Sequence, residues 1–361
     1  MADTPSFVKG QELCSGFYRD VIVPIVDGQP HAAALLGEGS EVLGFDTERS
    51  TDHAWGPRLQ LFLQPEVLEQ VGTSISQRLP ATYWGWPTHF YRWQTGKVEH
   101  HVEVTTLDAW LESHFGFDPR SEMTFGRWLT VPQQVLLEFT GGLVFRDDFG
   151  ELTSLRASLA WYPRDLWLWL LASQWKSIAE KEPLVGRTAE VGDELGTRVI
   201  TAEIVRDIIR LWFLQERRYA PYPKWLGTVF ATIAEVELQR VLNAALNATD
   251  QAAREAALCR AYEHVARRHN HLMLTKLVEP TTGPFDVRIA EAVRAYCVLN
   301  AERFVEACRE AIEDVALRHL EPVGAIDQLT HSSDLLTKFT PWPGLLASDY
   351  ASLLGGATDD D

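Results

Sequence analysis

Basic residues are scarce in this 361-residue chain. Against 50 Asp and Glu there are 33 Lys and Arg, a formal net charge of −17. A duplex nucleic-acid binder presents an excess of Lys and Arg, so this balance excludes that class of partner while leaving room for a small basic pocket. Cysteine is scarce too: Cys14, Cys259, Cys297 and Cys308 have no CxxC spacing. That excludes a zinc pattern and a disulfide framework, and leaves buried thiols in a reducing compartment. No apolar run reaches membrane-spanning length; Leu166 to Trp175 is the longest, and Lys176 closes it. The start, MADTPSFVKG, lacks the basic and apolar regions of a signal peptide, so a cytoplasmic protein that engages no membrane is expected. No repeat of fixed period occurs, which excludes a solenoid.

What is present is an ordinary globular composition, 46% hydrophobic and 23% charged, with room for two domains. Ser6 to Ile25 reads as an amphipathic helix stopped by Asp27-Gly28. His31 to Leu36 and Leu59 to Leu63 read as strands, and Pro65 to Gln77 as a helix. Thr82 to Trp93 is a loop dense in aromatics, and Val98 to Thr106 alternates as a strand. In that last strand His100 and His101 must face opposite sides, so they read as surface histidines. Short helices follow at Leu107 to Phe115 and Pro132 to Thr140, with a short strand near Leu143. Asp147-Asp148-Phe149-Gly150 has no kinase signature around it and is a turn. From Ser154 onward the pattern is helical: a stripe at Trp167, Leu170, Leu171 and Trp175, a glycine-spaced linker from Gly186 to Gly196, and helices at Thr197–Arg218, Lys224–Leu246, Gln251–His269 and Val287–Ala316. The expectation is an α+β fold: residues 1–150 an α/β domain with a mixed sheet, 151–350 an all-helical domain, and 351–361 an acidic frayed tail.

The chemistry concentrates in LLGEGSEVLGFDTERSTDHAWGPRLQLFL, Leu35 to Leu63. A strand ends in Gly37, then Gly39-Ser40; twelve residues later comes Asp52, near the next strand. Glycine lets a backbone approach a phosphate, serine adds a hydroxyl, and a nearby carboxylate can hold magnesium against the phosphates. Farther on, Val102-Glu103-Val104 sets one acid between two branched apolar residues. A solvent-facing strand glutamate is the plain alternative.

This stretch resembles the signature of the nucleotidyltransferase superfamily, in which Gly-Ser is followed at about this spacing by Asp-x-Asp and later by a third strand acid. Here Asp52-His53-Ala54 stands at the Asp-x-Asp position, so the second carboxylate is absent. The α/β unit followed by a helical one is similar to the layout of aminoglycoside-modifying nucleotidyltransferases. The runs Glu216 to Trp225, Gly186 to Gly196 and Gly324 to Gln328 resemble a family grouped with these enzymes and named only as a domain of unknown function.

The resemblance implies attack of a small-molecule acceptor on the α-phosphate of a nucleoside triphosphate such as ATP, with pyrophosphate leaving and Mg2+ neutralising charge. The modification is either the final product or an activation step. Gly39, Ser40, Arg218 and Lys224 would hold the nucleotide, Asp52 and Glu103 the metal, and Glu216 would act as general base. Ala54 cannot be a ligand; Asp46 or Glu48 could replace it if their loop bends inward. Arg218 and Lys224 read equally well as capping or salt-bridging residues. Asp193, Glu194 and Arg187 form another polar cluster in the glycine-spaced loop. Tyr219, Tyr222, Trp84 and Trp86 could stack a base, though core packing suits them better. His264, His269 and His271 match no zinc spacing and read as a polar helix end. The alternative is a degenerate nucleotidyltransferase that binds nucleotide or a partner without transfer.

Overall fold

The computed structural model describes residues 5–52, 55–92, 95–121, 123–286 and 293–337, together with 346 and 348. The chain forms two compact units: residues 1–123 with 134–160, and residues 124–133 with 161–361. The first carries a mixed five-stranded sheet with helices and the second is largely helical, an α+β architecture.

In the first unit helical backbone runs from Gly10 to Val26, through a π turn at Tyr18–Ile22. Asp27, in the left-handed region at φ 50°, ends it where the Asp-Gly pair is read as a stop. The strands are β1 (Ala32–Leu35), β2 (Arg58–Phe62), β3 (His89–Arg92), β4 (Lys97–Thr105) and β5 (Leu143–Asp147). Their order is β3-β4-β2-β1-β5, with β2 and β4 parallel and the other neighbours antiparallel. β1, AAAL, is buried throughout between β2 and β5. Its small side chains let Leu13, Phe17 and Ile75 from the helices pack with Ala33, Leu59 and Leu61 in one apolar cluster.

Two expectations for this unit change. The aromatic stretch from Thr82 is a tight pairing of Thr82–Tyr83 with Trp86–Pro87, followed by edge strand β3, and is not a loop. His100 and His101 are half-buried rather than surface residues. His101 stacks on Phe90 at 3.5 Å, and burial pulls its pKa down to about 4.

The second unit contains long helices at Arg164–Glu190 and Glu194–Gln215, then Pro223–Ile233, Val236–Asn247, Gln251–His271 and Glu302–Glu310. The predicted Gly186–Gly196 linker is mostly helix. Only Val191, Gly192 and Asp193 interrupt it, and Asp193 caps the next helix by accepting from the Gly196 N–H at 2.8 Å. Gly186 is on the helix because the Tyr296 ring lies where its Cβ would be. The predicted Lys224–Leu246 helix breaks at Ala234-Glu235, both extended. The predicted Val287–Ala316 helix is also corrected. Residues 287–292 lie outside the described residues, Val293–Val298 is a strand paired with Gly283–Asp286, and helix starts at Glu302. Branched and aromatic side chains in VRAYCV favour that pleated surface. His269 is a core residue, 1% exposed, and not part of a polar helix end. Its Nδ1 lies 3.1 Å from Trp175 Nε1 and its Nε2 3.1 Å from Thr275 Oγ1. Among the described residues no helix is long and apolar enough to cross a membrane.

Because Gly186 is crossed by the Tyr296 ring, Gly186→Leu is expected to lose about 1–3 kcal/mol of stability through overpacking, read from the urea midpoint.

Candidate functional site

The corner where β1 ends is built by residues of β2 and β4. Along β2 the pleat sends Leu59 and Leu61 into the apolar cluster and sets Arg58 and Gln60 on the other face. Parallel pairing places Gln60 beside Glu103 and Arg58 beside His101. The Gln60 amide is committed at both ends: its Oε1 accepts from the Leu36 N–H at 2.8 Å, and its Nε2 donates to Glu103 Oε2 at 3.3 Å. Arg58 Nε donates to Glu41 Oε1 at 2.6 Å in a largely buried ion pair, and Arg58 also donates to the Glu38 carbonyl.

This pair determines what Gly39 is for. At φ 136° the residue takes a backbone conformation that suits glycine, and a Cβ there would overlap the Glu41 carboxylate and the Arg58 guanidinium. The chain's own ion pair therefore fills that face of Gly39. Ser40 opens a turn, and its Oγ donates to Ser50 Oγ at 3.4 Å.

A further acid closes the corner. Glu138, on the Gln133–Thr140 helix, accepts from the Gly37 N–H through its carbonyl at 3.1 Å and is buried. Burial raises its carboxyl pKa to about 8; Glu38 adds to the rise, and the Gln134 amide and Arg58 oppose it. The Gln134 Nε2 donates to Glu138 Oε1 at 2.7 Å.

Of the expected metal ligands, Glu103 is in this corner. Asp52 ends a 3-10 turn at Glu48–Asp52, its side chain 54% exposed and 3.5 Å from Arg49. Ala54 lies outside the described residues. Glu48 is exposed. Asp46 is fully buried and accepts from the Gly10 N–H at 2.7 Å and Trp55 Nε1 at 3.2 Å, so it anchors a helix start rather than replacing a ligand. Among the described residues no three His, Cys, Asp or Glu side chains converge as a metal-binding group. The groups beside Glu103 are a committed amide and a guanidinium, a donor set that does not fit magnesium, which takes oxygen ligands.

The remaining candidates belong to the second unit. Glu216 pairs with Arg268 at 2.8 Å. Arg218 is exposed at the close of the 194–215 helix, where its N–H donates to the Phe213 carbonyl at 3.0 Å. Lys224 is exposed at the start of the 223–233 helix, its ammonium 5.0 Å from the Trp225 ring centre. Glu194 is held by Arg198 and Arg254, and Arg187 is exposed on its helix. Tyr219 packs against Trp161 and Tyr162, and Trp86 against Trp55. Trp84 is the exposed aromatic, stacked on Tyr83.

Sequence reasoning passed over Arg58, Gln60, Glu41 and Glu138. The signal for Gln60 was available: a polar residue between two leucines, at alternate spacing from Arg58, belongs on the second face of a strand. Glu138 offered a weaker one, a carboxylate in the apolar run VLLEF four residues after Gln134.

Residues 128–226 match a family model described as a domain of unknown function (DUF4037). The matched stretch carries Glu138, Asp207, Arg210 and Glu216 to Trp225. No curated protein and no solved structure matches the chain.

Glu138 sets a pH dependence. The folded chain holds this proton up to about pH 8, whereas an ordinary Glu releases it near 4.5. Between those limits the folded state binds more protons than the unfolded one, so the group's contribution to stability falls as pH rises through the window and stays low above it. Glu138→Gln should match the parent chain below the window and exceed it by a few kcal/mol above about pH 8, measured by denaturant titration at both ends.

Proposed function

We propose that the first unit is a nucleotidyltransferase-like domain that binds a partner molecule and does not transfer nucleotide. The observation that carries this reading is the Gln60–Glu103 pairing. Beside the one strand acid, where the resemblance calls for another carboxylate, there is an amide whose oxygen already serves the Leu36 N–H. Asp52 faces solvent in a turn ahead of the strand, paired with Arg49. The Gly39 face is taken by the Glu41–Arg58 pair.

Charge points the same way. Glu38 is exposed and Glu103 half-buried, in a chain of net charge −17. Without a metal these acids repel a triphosphate and favour a neutral or cationic group. Glu38 and Glu103 offer acceptors to that partner; Arg58 is already held by Glu41.

The test is pyrophosphate release from each common nucleoside triphosphate with Mg2+, for the parent chain and Glu103→Gln, alongside equilibrium dialysis of ATP with and without Mg2+. The expected result is no release above the protein-free rate and no metal-dependent retention. Magnesium-dependent release that Glu103→Gln abolishes would instead make the chain a transferase.

A further inference from the structure

The second unit buries two guanidinium Nε donors that no acceptor in it meets. Arg210, on the 194–215 helix, is 6% exposed. One turn earlier Arg206 is half-buried. The Nε of each is buried without a hydrogen-bond partner, and no acidic side chain among the described residues forms an ion pair with either. A buried N–H donor with no acceptor is costly, and native interiors rarely leave one so.

The neighbouring acids are already engaged. Asp207 accepts from Gln174 at 3.2 Å, Ser177 at 3.0 Å and Lys181 at 2.8 Å. Asp327, fully enclosed, accepts from the Gln133 N–H at 2.9 Å. Tyr162 also neighbours Arg210, and His331, which has Glu203 near it, neighbours both arginines. Asp207 and Asp327 attract Arg210, yet neither meets its Nε within hydrogen-bond distance. Exposed His331 and half-buried Arg206 form the side open to solvent.

We infer that Arg206 and Arg210 form a binding site for a small oxyanion, a phosphate or carboxylate group. Two guanidinium forks one helical turn apart present planar sets of donors suited to such a group. An arriving oxyanion supplies the acceptors that both Nε atoms lack. Lys181 is absorbed by Asp207, so the two arginines carry the recognition. The site is within one unit and is independent of the reading of the Gln60–Glu103 corner.

The experiment is a melting-temperature titration of the full chain with inorganic phosphate, sulfate or acetate, each against sodium chloride at matched ionic strength, with equilibrium dialysis of labelled phosphate. The parent chain should gain stability from at least one oxyanion beyond chloride. Phosphate and sulfate acting without acetate identifies a phosphate-type site, and acetate acting identifies a carboxylate-type site. Arg206→Gln, at the open side, should weaken the anion's apparent Kd by about tenfold or more. Arg210→Met should abolish the anion response, read as the difference between oxyanion and chloride for that variant, whatever its melting temperature in chloride. No oxyanion-specific shift in the parent chain overturns the inference, as does a shift left intact by both substitutions.

Discussion

The Arg58–Glu41 ion pair is the constraint on which the first unit's functional corner depends. It ties the turn after β1 to the first residue of β2, with side-chain exposures of only 13% and 5%. Buried pairs of this kind add little net stability, yet losing one partner is costly because the other charge is stranded. The pair therefore acts mainly as a device of specificity. It dictates glycine at position 39, holds the Glu38 carbonyl and places a positive charge near Glu138. Cys14 lies close enough to feel Arg58, but burial dominates and pushes its thiol up to about 12, so it is an inert core residue.

Much of the architecture could be read from the residues, because it rests on periodicity. The strands at Ala32–Leu35, Arg58–Phe62 and Lys97–Thr105 and the helices at Leu107–Phe115 and Gln251–His271 follow from apolar patterns that match their faces. What misled was local chemistry overridden by tertiary packing. Glycines from Gly186 onward suggested a linker, yet Gly186 is a helical position shaped by a ring from a distant strand. His269 sits in a run of Arg, His and Asn, yet it turns inward to Trp175. The functional corner was legible only in part. Glu103 could be picked out between two valines and Gln60 between two leucines, but not that the two meet, since the pairing of β2 with β4 is fixed across 43 residues. Spacing from Gly-Ser pointed to Asp52, whereas the strand that meets Glu103 starts later, at Arg58.

The second unit uses polar groups differently. Glu182 accepts from the Leu299 N–H at 2.7 Å and the Ala301 N–H at 2.8 Å, fastening the segment ahead of the Glu302–Glu310 helix. Burial raises its pKa to about 7, and the backbone donors hold it down from a larger rise. Asp207 joins three side chains from the neighbouring 164–190 helix. These acids fix how helices and strand segments meet, a task that nondirectional apolar contact cannot perform alone. Arg210 departs from that pattern: equally buried, it leaves its Nε without a hydrogen-bond partner.

The way the two units are threaded affects the order in which they form on the ribosome. Residues 124–133 belong to the second unit although residues 134–160 complete the first. Gln133 meets Asp327 across 194 residues. At a synthesis rate of 5–20 residues per second, that partner emerges about 10–40 s after Gln133 does. The five-stranded sheet of the first unit is complete by Asp147, whereas Gln133, just after the Phe125–Thr130 helix, waits for Asp327. The nascent polypeptide thus carries an early segment of its later-folding unit, in which Trp128 finds Tyr162 early while Gln133 waits for Asp327.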